Sequence, residues 1–579
     1  MIKLFLIAYL LPLGTTNELS PAIEKWPVIT TIEQNSLINY IQRYQADHQL
    51  IQRKYALKRT TFYFNRATNF YQDWLTELKG IDFSKLNQAE KVDYYLLQRN
   101  IKADLDNLNN DFADFKNFQG KITYLNLVEA FENIRRIGEK PPAQLWKTNF
   151  EKLLQEIDNT NEYYTLNSLS LKPHELAWVN TTASQYFNVF KEAYKFYDGY
   201  DPQFTASTGE LFKKINLQFD KHIKNLGQLG ASSKVSDDGS GIIGNPIGEA
   251  AFIQLLNKEM IAYSPAELEK IAWRELAWSE AEMIKASTEM GFGKDWKKAL
   301  EKVKLAYPPL GEQPELVYFL ANEAINFIES NQLIKVPTLA KEGWRMRMLS
   351  PQEQLFAPFF LGGESVLIAY PHESMSEEAK AMTLRGNNRH FSRAVVHHEL
   401  IPGHNLQYFM QNRYNTYRRA FDTPFWTEGW SLYWEMLLWE KNFAQNPADK
   451  IGMLFWRMHR SARIIFSMNY HLQKWTPNQC IDFLVDKVGF ERANAEAEVR
   501  RSFTGGYGPL YQIGYMLGGL QFKSLQTEVV NSGKMNFIDF HDWILKQNAM
   551  PVEMLRILLL NLPMTENYTT QWKFAGEFN

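Results

Sequence analysis

A single cysteine, Cys480, stands in a chain of 579 residues. No intrachain disulfide can form, and zinc sites built on paired thiolates are excluded. Any metal must be held by His, Asp and Glu. An excess of one charge is missing too: 63 Lys and Arg face 65 Asp and Glu. No broad field therefore points to nucleic acid or to an anionic membrane. Past the first residues there is no apolar stretch of the ~20 residues that a spanning helix needs, so stable membrane insertion is not expected. There is no internal repeat and no low-complexity tract.

What the chain has in quantity is apolar and aromatic surface to bury. Hydrophobic residues make up 45% of it, with 16 Trp, 28 Tyr and 38 Phe. That composition fits a globular protein with a large core in which aromatic rings fill gaps between helices. The start, Met1-Ile2-Lys3, an apolar run over 4–13 and then Gly14-Thr15-Thr16, matches a secretory signal peptide. The run is too short to cross a bilayer, and no cysteine follows it, so a lipid anchor is not expected. A periplasmic or secreted location follows from this reading.

Residues 31–226 are patterned mostly as helix. Tyr94, Leu97 and Ile101 recur at three- and four-residue spacing within 91–108. Residues 226–246 change character, with a Gly/Ser/Asp cluster, Asp237-Asp238-Gly239-Ser240-Gly241, that reads as an exposed loop. The main boundary is expected there, giving a signal peptide over 1–16, an N-terminal helical region over 17–245 and a second helical region over 246–579. Ser264-Pro265-Ala266-Glu267 has the form of a helix start, with a capping Ser, Pro in the first turn and Glu three residues on. A long helix should run from it through Trp273 and Ile284. Val366-Leu367-Ile368-Ala369-Tyr370, after Gly362-Gly363 and before Pro371, reads as a short strand. It is either an ordinary core strand or an edge to which an extended peptide could add.

Four of the 11 histidines, His390, His397, His398 and His404, fall within fifteen residues. His174-Glu175 and His372-Glu373 have no second His close downstream and are expected to be structural or surface groups. The motif of interest is His398-Glu399-Leu400-Ile401-Pro402-Gly403-His404. Ligands four apart on a helix lie about 40° apart, which lets them share a metal. Ligands six apart lie about 120° apart and cannot both reach one zinc at ~2.0–2.1 Å. The helix must therefore be irregular. Pro402 lacks a backbone donor and Gly403 tolerates unusual dihedrals, so the pair is expected to bulge or break the helix and return His404 to the face of His398. His397 is a rival first ligand, on the face of His404 but about 10 Å away along a regular axis. A third ligand is sought in Glu428-Gly429-Trp430, at the head of the apolar aromatic run 431–439, because a carboxylate in such a run is costly unless paired or bound to metal. Glu435, on the same face, is the second choice.

His-Glu-Leu-Ile-Pro-Gly-His-Asn-Leu-Gln (398–407), Glu-Gly-Trp-Ser-Leu-Tyr-Trp-Glu (428–435), Arg500 with Tyr511-Gln512-Ile513-Gly514, and Pro246-Ile247-Gly248 before Ala251-Phe252 together resemble the bacterial family catalogued as domain of unknown function 885. The resemblance spans roughly 31–570. Asn405 departs from the family, where a second His is frequent at that position, but it is not a proposed ligand. The resemblance implies a mainly α, two-lobed zincin-like metallopeptidase, with a small β element beside the active-site helix. On this reading His398, His404 and Glu428 bind Zn²⁺ and leave a position for water. The metal lowers the pKa of that water towards about 7, and Glu399 takes its proton and passes it to the leaving amine of a peptide substrate. Tyr511, His471, Tyr507 and Arg500 are the candidates to stabilise the oxyanion. Arg385, Arg389 or Arg393 could receive a substrate carboxylate, though a solvated basic face is the simpler reading. The alternatives are a zinc hydrolase of another amide or ester, and a non-catalytic helical protein that binds metal.

Overall fold

The computed structural model describes residues 36–140, 142–232, 237–354 and 359–577. The signal-peptide segment lies outside the described residues. Helices dominate, and among the described residues the only sheet has two strands. The fold is mainly α. The described residues from Leu37 onward pack as one compact unit.

Local signals set most of the elements. The period-3.6 segment near residue 94 becomes helix α1 (Gln88–Phe118), with Tyr94, Leu97 and Ile101 buried. Ser264 caps α2 (Pro265–Glu289) through a complete capping box with Glu267, which satisfies two backbone donors that a helix start leaves orphaned. The expected strand forms as β2 (Ser365–Ile368), pairing in parallel with β1 (Arg345–Met348). Strand β1, Arg-Met-Arg-Met, is exposed at all four positions, so no buried face marked it in the sequence. Leu361 bridges the flank of β2 at Leu367. The open edge of the sheet therefore belongs to β1, and β2 is not the free strand that its sequence allowed.

Six helices position the residues of the candidate site: α3 (Arg389–Glu399), α4 (His404–Gln411), α5 (Pro424–Glu440), α6 (Pro447–His471), α7 (Arg492–Thr504) and α8 (Tyr511–Gln526). Asn388 caps α3, accepting from the His390 and Phe391 amides, and Thr423 and Asn446 cap α5 and α6 ahead of a Pro at the first turn. Helix α6 packs against α2 and α3, and α5 packs along α8. The α5–α8 crossing brings backbone against backbone. A Cβ on Gly429 would lie 2.6 Å from Gly518 Cα, and one on Gly518 would lie 2.2 Å from the Phe425 carbonyl oxygen. Only glycine at both positions permits that approach. Away from this core, Asp93 of α1 pairs with the buried Arg418 at 2.8 Å, tying the N-terminal helices to the segment between α4 and α5.

Candidate metal centre

The stretch 398–404 is not a continuous helix. Helix α3 ends at Glu399 and α4 begins at His404, with residues 400–403 outside both. The last carbonyls of a helix need new partners. Here the His397 carbonyl accepts from the Gly403 amide at 3.0 Å, and the His398 carbonyl accepts from Ser431 Oγ of α5 at 3.0 Å. Trp430 Nε1 donates to the Pro402 carbonyl at 2.9 Å. The turn is thus pinned from the helix that carries Glu428. A Cβ at Gly403 would fall 1.8 Å from the His398 carbonyl oxygen, so the chain can double back only where there is no side chain. The break returns His404 to His398, with ring centroids 4.9 Å apart and ring planes nearly perpendicular.

Glu428 Oε2 lies 3.6 Å from His398 Nε2 and 3.1 Å from His404 Nε2. The other nitrogen of His398, Nδ1, lies 2.6 Å from Glu435 Oε1, and Arg460 Nη2 donates to that same oxygen at 3.2 Å. Tyr511 donates its hydroxyl to Glu428 Oε1. All of these groups except Tyr511 are buried. Burial alone would depress the His398 pKa. Hydrogen bonds with Glu428 and Glu435 overcome that and hold it up to about 9. Glu428 is likewise held well below the usual carboxylate range, against burial, by His404 and His398. Two carboxylates around one imidazole favour positive charge at this point. Glu399 differs: burial pushes its carboxyl up.

Among the described residues, His398, Glu399 and His404 bring potential ligand atoms within 4.8 Å of one another. Glu399 or Glu428 could therefore complete the set. Geometry favours Glu428. Ligands ~2.0–2.1 Å from a tetrahedral zinc stand about 3.4 Å from each other, and a single oxygen of Glu428 has close to that spacing from both Nε2 atoms.

The remaining sequence candidates separate. Tyr511 is at the centre, but its proton is committed to Glu428. Tyr507 packs on Tyr511 at 4.3 Å between rings. His471 is not part of the cluster: it ends α6 beside Tyr470 and Phe503, eleven residues or about 16 Å along the axis from Arg460. Burial lowers its pKa to about 4. Arg500 is also misplaced as a candidate, since it donates to the Gly241 and Ser240 carbonyls and anchors that loop. Its neighbour Arg501 is the one turned inward, because one residue rotates a side chain by ~100°. His397 stacks edge-on to Phe443, His390 pairs with Asp449, and His174 and His372 bond to Asp114 and Ser374. Arg385 pairs with Glu301 and Glu491, Arg393 with Glu323 and Asp449, and Arg389 lines a separate cavity of about 510 Å³.

Sequence reasoning missed Arg460, Arg463, Glu498, Arg501 and Tyr515. For the four charged residues the signal was charge at i, i+3 spacing, Arg460 with Arg463 and Glu498 with Arg501; Tyr515 carried none. A cavity of about 660 Å³ lies beside α4, lined by Asn405 and Tyr408, by Arg345 of β1 and by Glu364; the Tyr408 ring stands 6.3 Å from that of His404.

A family described as "Bacterial protein of unknown function (DUF885)" matches residues 57–559. No curated protein matches the chain. Two solved structures are similar. One is a "putative lipoprotein of unknown function" from Shewanella oneidensis, 18% identical, with a TM-score of 0.66 over 91% of this chain and 100% of that one. The other is a "putative lipoprotein" from Colwellia psychrerythraea, 15% identical, with a TM-score of 0.56 over 91% and 99%. At these identities the likeness is one of fold.

Proposed function

The chain belongs to the DUF885 family of bacterial proteins of unknown function, and from that premise and the geometry of the buried His–Glu cluster we propose that it is a zinc-dependent metallopeptidase. The observation that carries the reading is the helix break at Pro402-Gly403, which brings His404 back to His398 with Glu428 between their Nε2 atoms. The donor set, two imidazoles and a carboxylate, suits zinc with a position left open. The buried pair of carboxylates around His398 favours a cation there. Glu435 holds His398 by Nδ1, so that Nε2 faces the site. The two-lobed zincin-like arrangement belongs to the same reading. So does a location outside the cytoplasm, supported by the description of both similar structures as "putative lipoprotein" and in keeping with the lack, among the described residues, of any helix long and apolar enough to cross a membrane.

Zinc held by His398, His404 and Glu428 would supply a Lewis acid and an acidified water. The protein's own groups do the rest. Glu399, its carboxyl pushed up by burial, accepts a proton from the attacking water and returns it to the leaving amine nitrogen. Tyr511 steadies Glu428 through Oε1 and acts as a positioning residue. The cavity beside α4 and the exposed strand β1 offer room for an extended chain.

The test is cleavage-site mapping on a mixed peptide pool. Cleavage should vanish with a chelator and return with one equivalent of zinc. Bound zinc with no hydrolysis of any peptide would overturn the peptidase reading, and hydrolysis confined to small esters or amides would replace it with another zinc hydrolase.

Two variants probe the supporting groups. Glu435→Gln should weaken zinc affinity by about 10–100-fold, measured by competition with a chromophoric chelator; unchanged affinity would remove Glu435 as the group that orients His398. A Cβ on Gly362 would lie 2.2 Å from Glu399 Oε2. The same Cβ would lie 2.8 Å from the Glu399 carbonyl oxygen and 3.0 Å from its Cα, so Gly362→Ala should displace the carboxylate together with its backbone and lower kcat by about 100-fold. Full activity would show that Glu399 need not hold this position.

A further inference from the structure

Beside the candidate centre lie three buried arginines that are not among the proposed ligands. Arg460 and Arg463 of α6 stand 4.9 and 4.3 Å from the ring of Tyr515, which itself stacks on His398. Arg501 of α7 stands 5.1 Å from the ring of Tyr507. The three arginines are 4%, 2% and 7% exposed. Two carboxylates answer them. Glu435 is shared between Arg460 and His398. Glu498 is shared among Arg463 at 2.7 Å, His459 at 3.3 Å and Arg501 at 3.9 Å. Glu428 is taken by the two histidines and Tyr511. Arg460 Nε, Arg463 Nη1 and Arg501 Nε are left without a hydrogen-bond acceptor, and Glu498 Oε2, 3.9 Å from Arg501 Nε, is left without a donor.

Buried guanidinium N–H groups without acceptors are costly. An anion that supplies acceptors removes the cost, and a carboxylate matches the planar fork. Arg501 has the weakest hydrogen-bond partner of the three. Its contact with Glu498 is too long for a hydrogen bond, and its Nη2 reaches only the hydroxyl of the partly exposed Tyr507, at 3.3 Å. Tyr507 packs on Tyr511, which bonds the proposed ligand Glu428. The arginines thus adjoin the centre on its tyrosine side.

We propose that Arg501, backed by Arg463 and Arg460, forms a subsite for a carboxylate of the substrate, so that the enzyme prefers anionic peptides. This rests on the peptidase reading and names its substrate class. The carboxylate is either the peptide C-terminus or an acidic side chain. Matched peptides separate the two: free acid against C-terminal amide, and internal Glu against Gln.

With the unaltered zinc-loaded protein, the anionic member of one pair, the free acid or the Glu peptide, should be cleaved with about 10–100-fold higher kcat/KM, chiefly through KM; a preference for the neutral member overturns the subsite. Arg501→Gln should erase the preference while zinc content and circular dichroism stay native. Equal rates within both pairs would overturn the subsite, as would a preference that survives in a folded Arg501→Gln. If that variant does not fold, the matched pairs on the unaltered protein decide. If no peptide is cleaved at all, the peptidase reading falls separately, and calorimetry with succinate decides the subsite. Binding to the full chain that disappears in Arg501→Gln supports it, and no binding, or equal binding, overturns it.

Discussion

Replacing Glu399 with glutamine is expected to leave one zinc per chain and to lower kcat by about 10²–10⁴-fold, the usual contribution of a positioned general base. Glutamine has nearly the volume of glutamate and fits beneath Gly362, where an added Cβ would already touch the native carboxylate. It cannot accept a proton. The same variant separates the two possible ligand sets. If Glu399 were the third ligand, with Glu428 as the base, zinc affinity would fall together with activity. Metal analysis beside single-turnover kinetics reads both quantities. Undiminished hydrolysis would remove Glu399 as the base, and loss of zinc would move it into the ligand set.

The second large effect is expected from His404→Ala. It removes one of the three proposed ligands from a buried site and leaves Glu428 with a single imidazole partner, His398, at 3.6 Å. Zinc affinity should fall by more than the ~10–100-fold that follows loss of an orienting partner. Hydrolysis should disappear and not return with one equivalent of zinc. A retained zinc with normal turnover would show that other residues hold the metal. His397 is poorly placed for that role, since it is fully buried against Phe443. Dialysis followed by elemental analysis is sufficient, with a thermal melt to show that the variant folds.

Particular residues show how far the sequence could be read. The break at Pro402-Gly403 was legible because it is a local conflict: six-residue spacing on a helix, with a residue that cannot donate and one that can turn. The helix after Ser264 was legible for the same reason, since a capping box is written in four adjacent residues. Strand β1 was not, because it buries no face and so carries no period. Arg500 and Arg501 are indistinguishable in sequence. Which of them turns towards Tyr507 depends on how α7 lies against α6 and α8. His471 was a candidate by residue type and region alone, and helix length places it about 16 Å beyond Arg460 along α6.

By itself the sequence determined the donor chemistry and the need for a broken helix, because both reside within a few bonded neighbours. Only the tertiary structure decided that Glu428 faces both histidines while Glu435 holds the far nitrogen of one. It alone decided that Tyr511 bonds the carboxylate, and that three arginines share two glutamates behind it. Those relations join helices that are far apart in the chain. They depend on how closely the helices approach, as where Gly429 lies against Gly518, and close packing between distant segments leaves no periodic trace in either one.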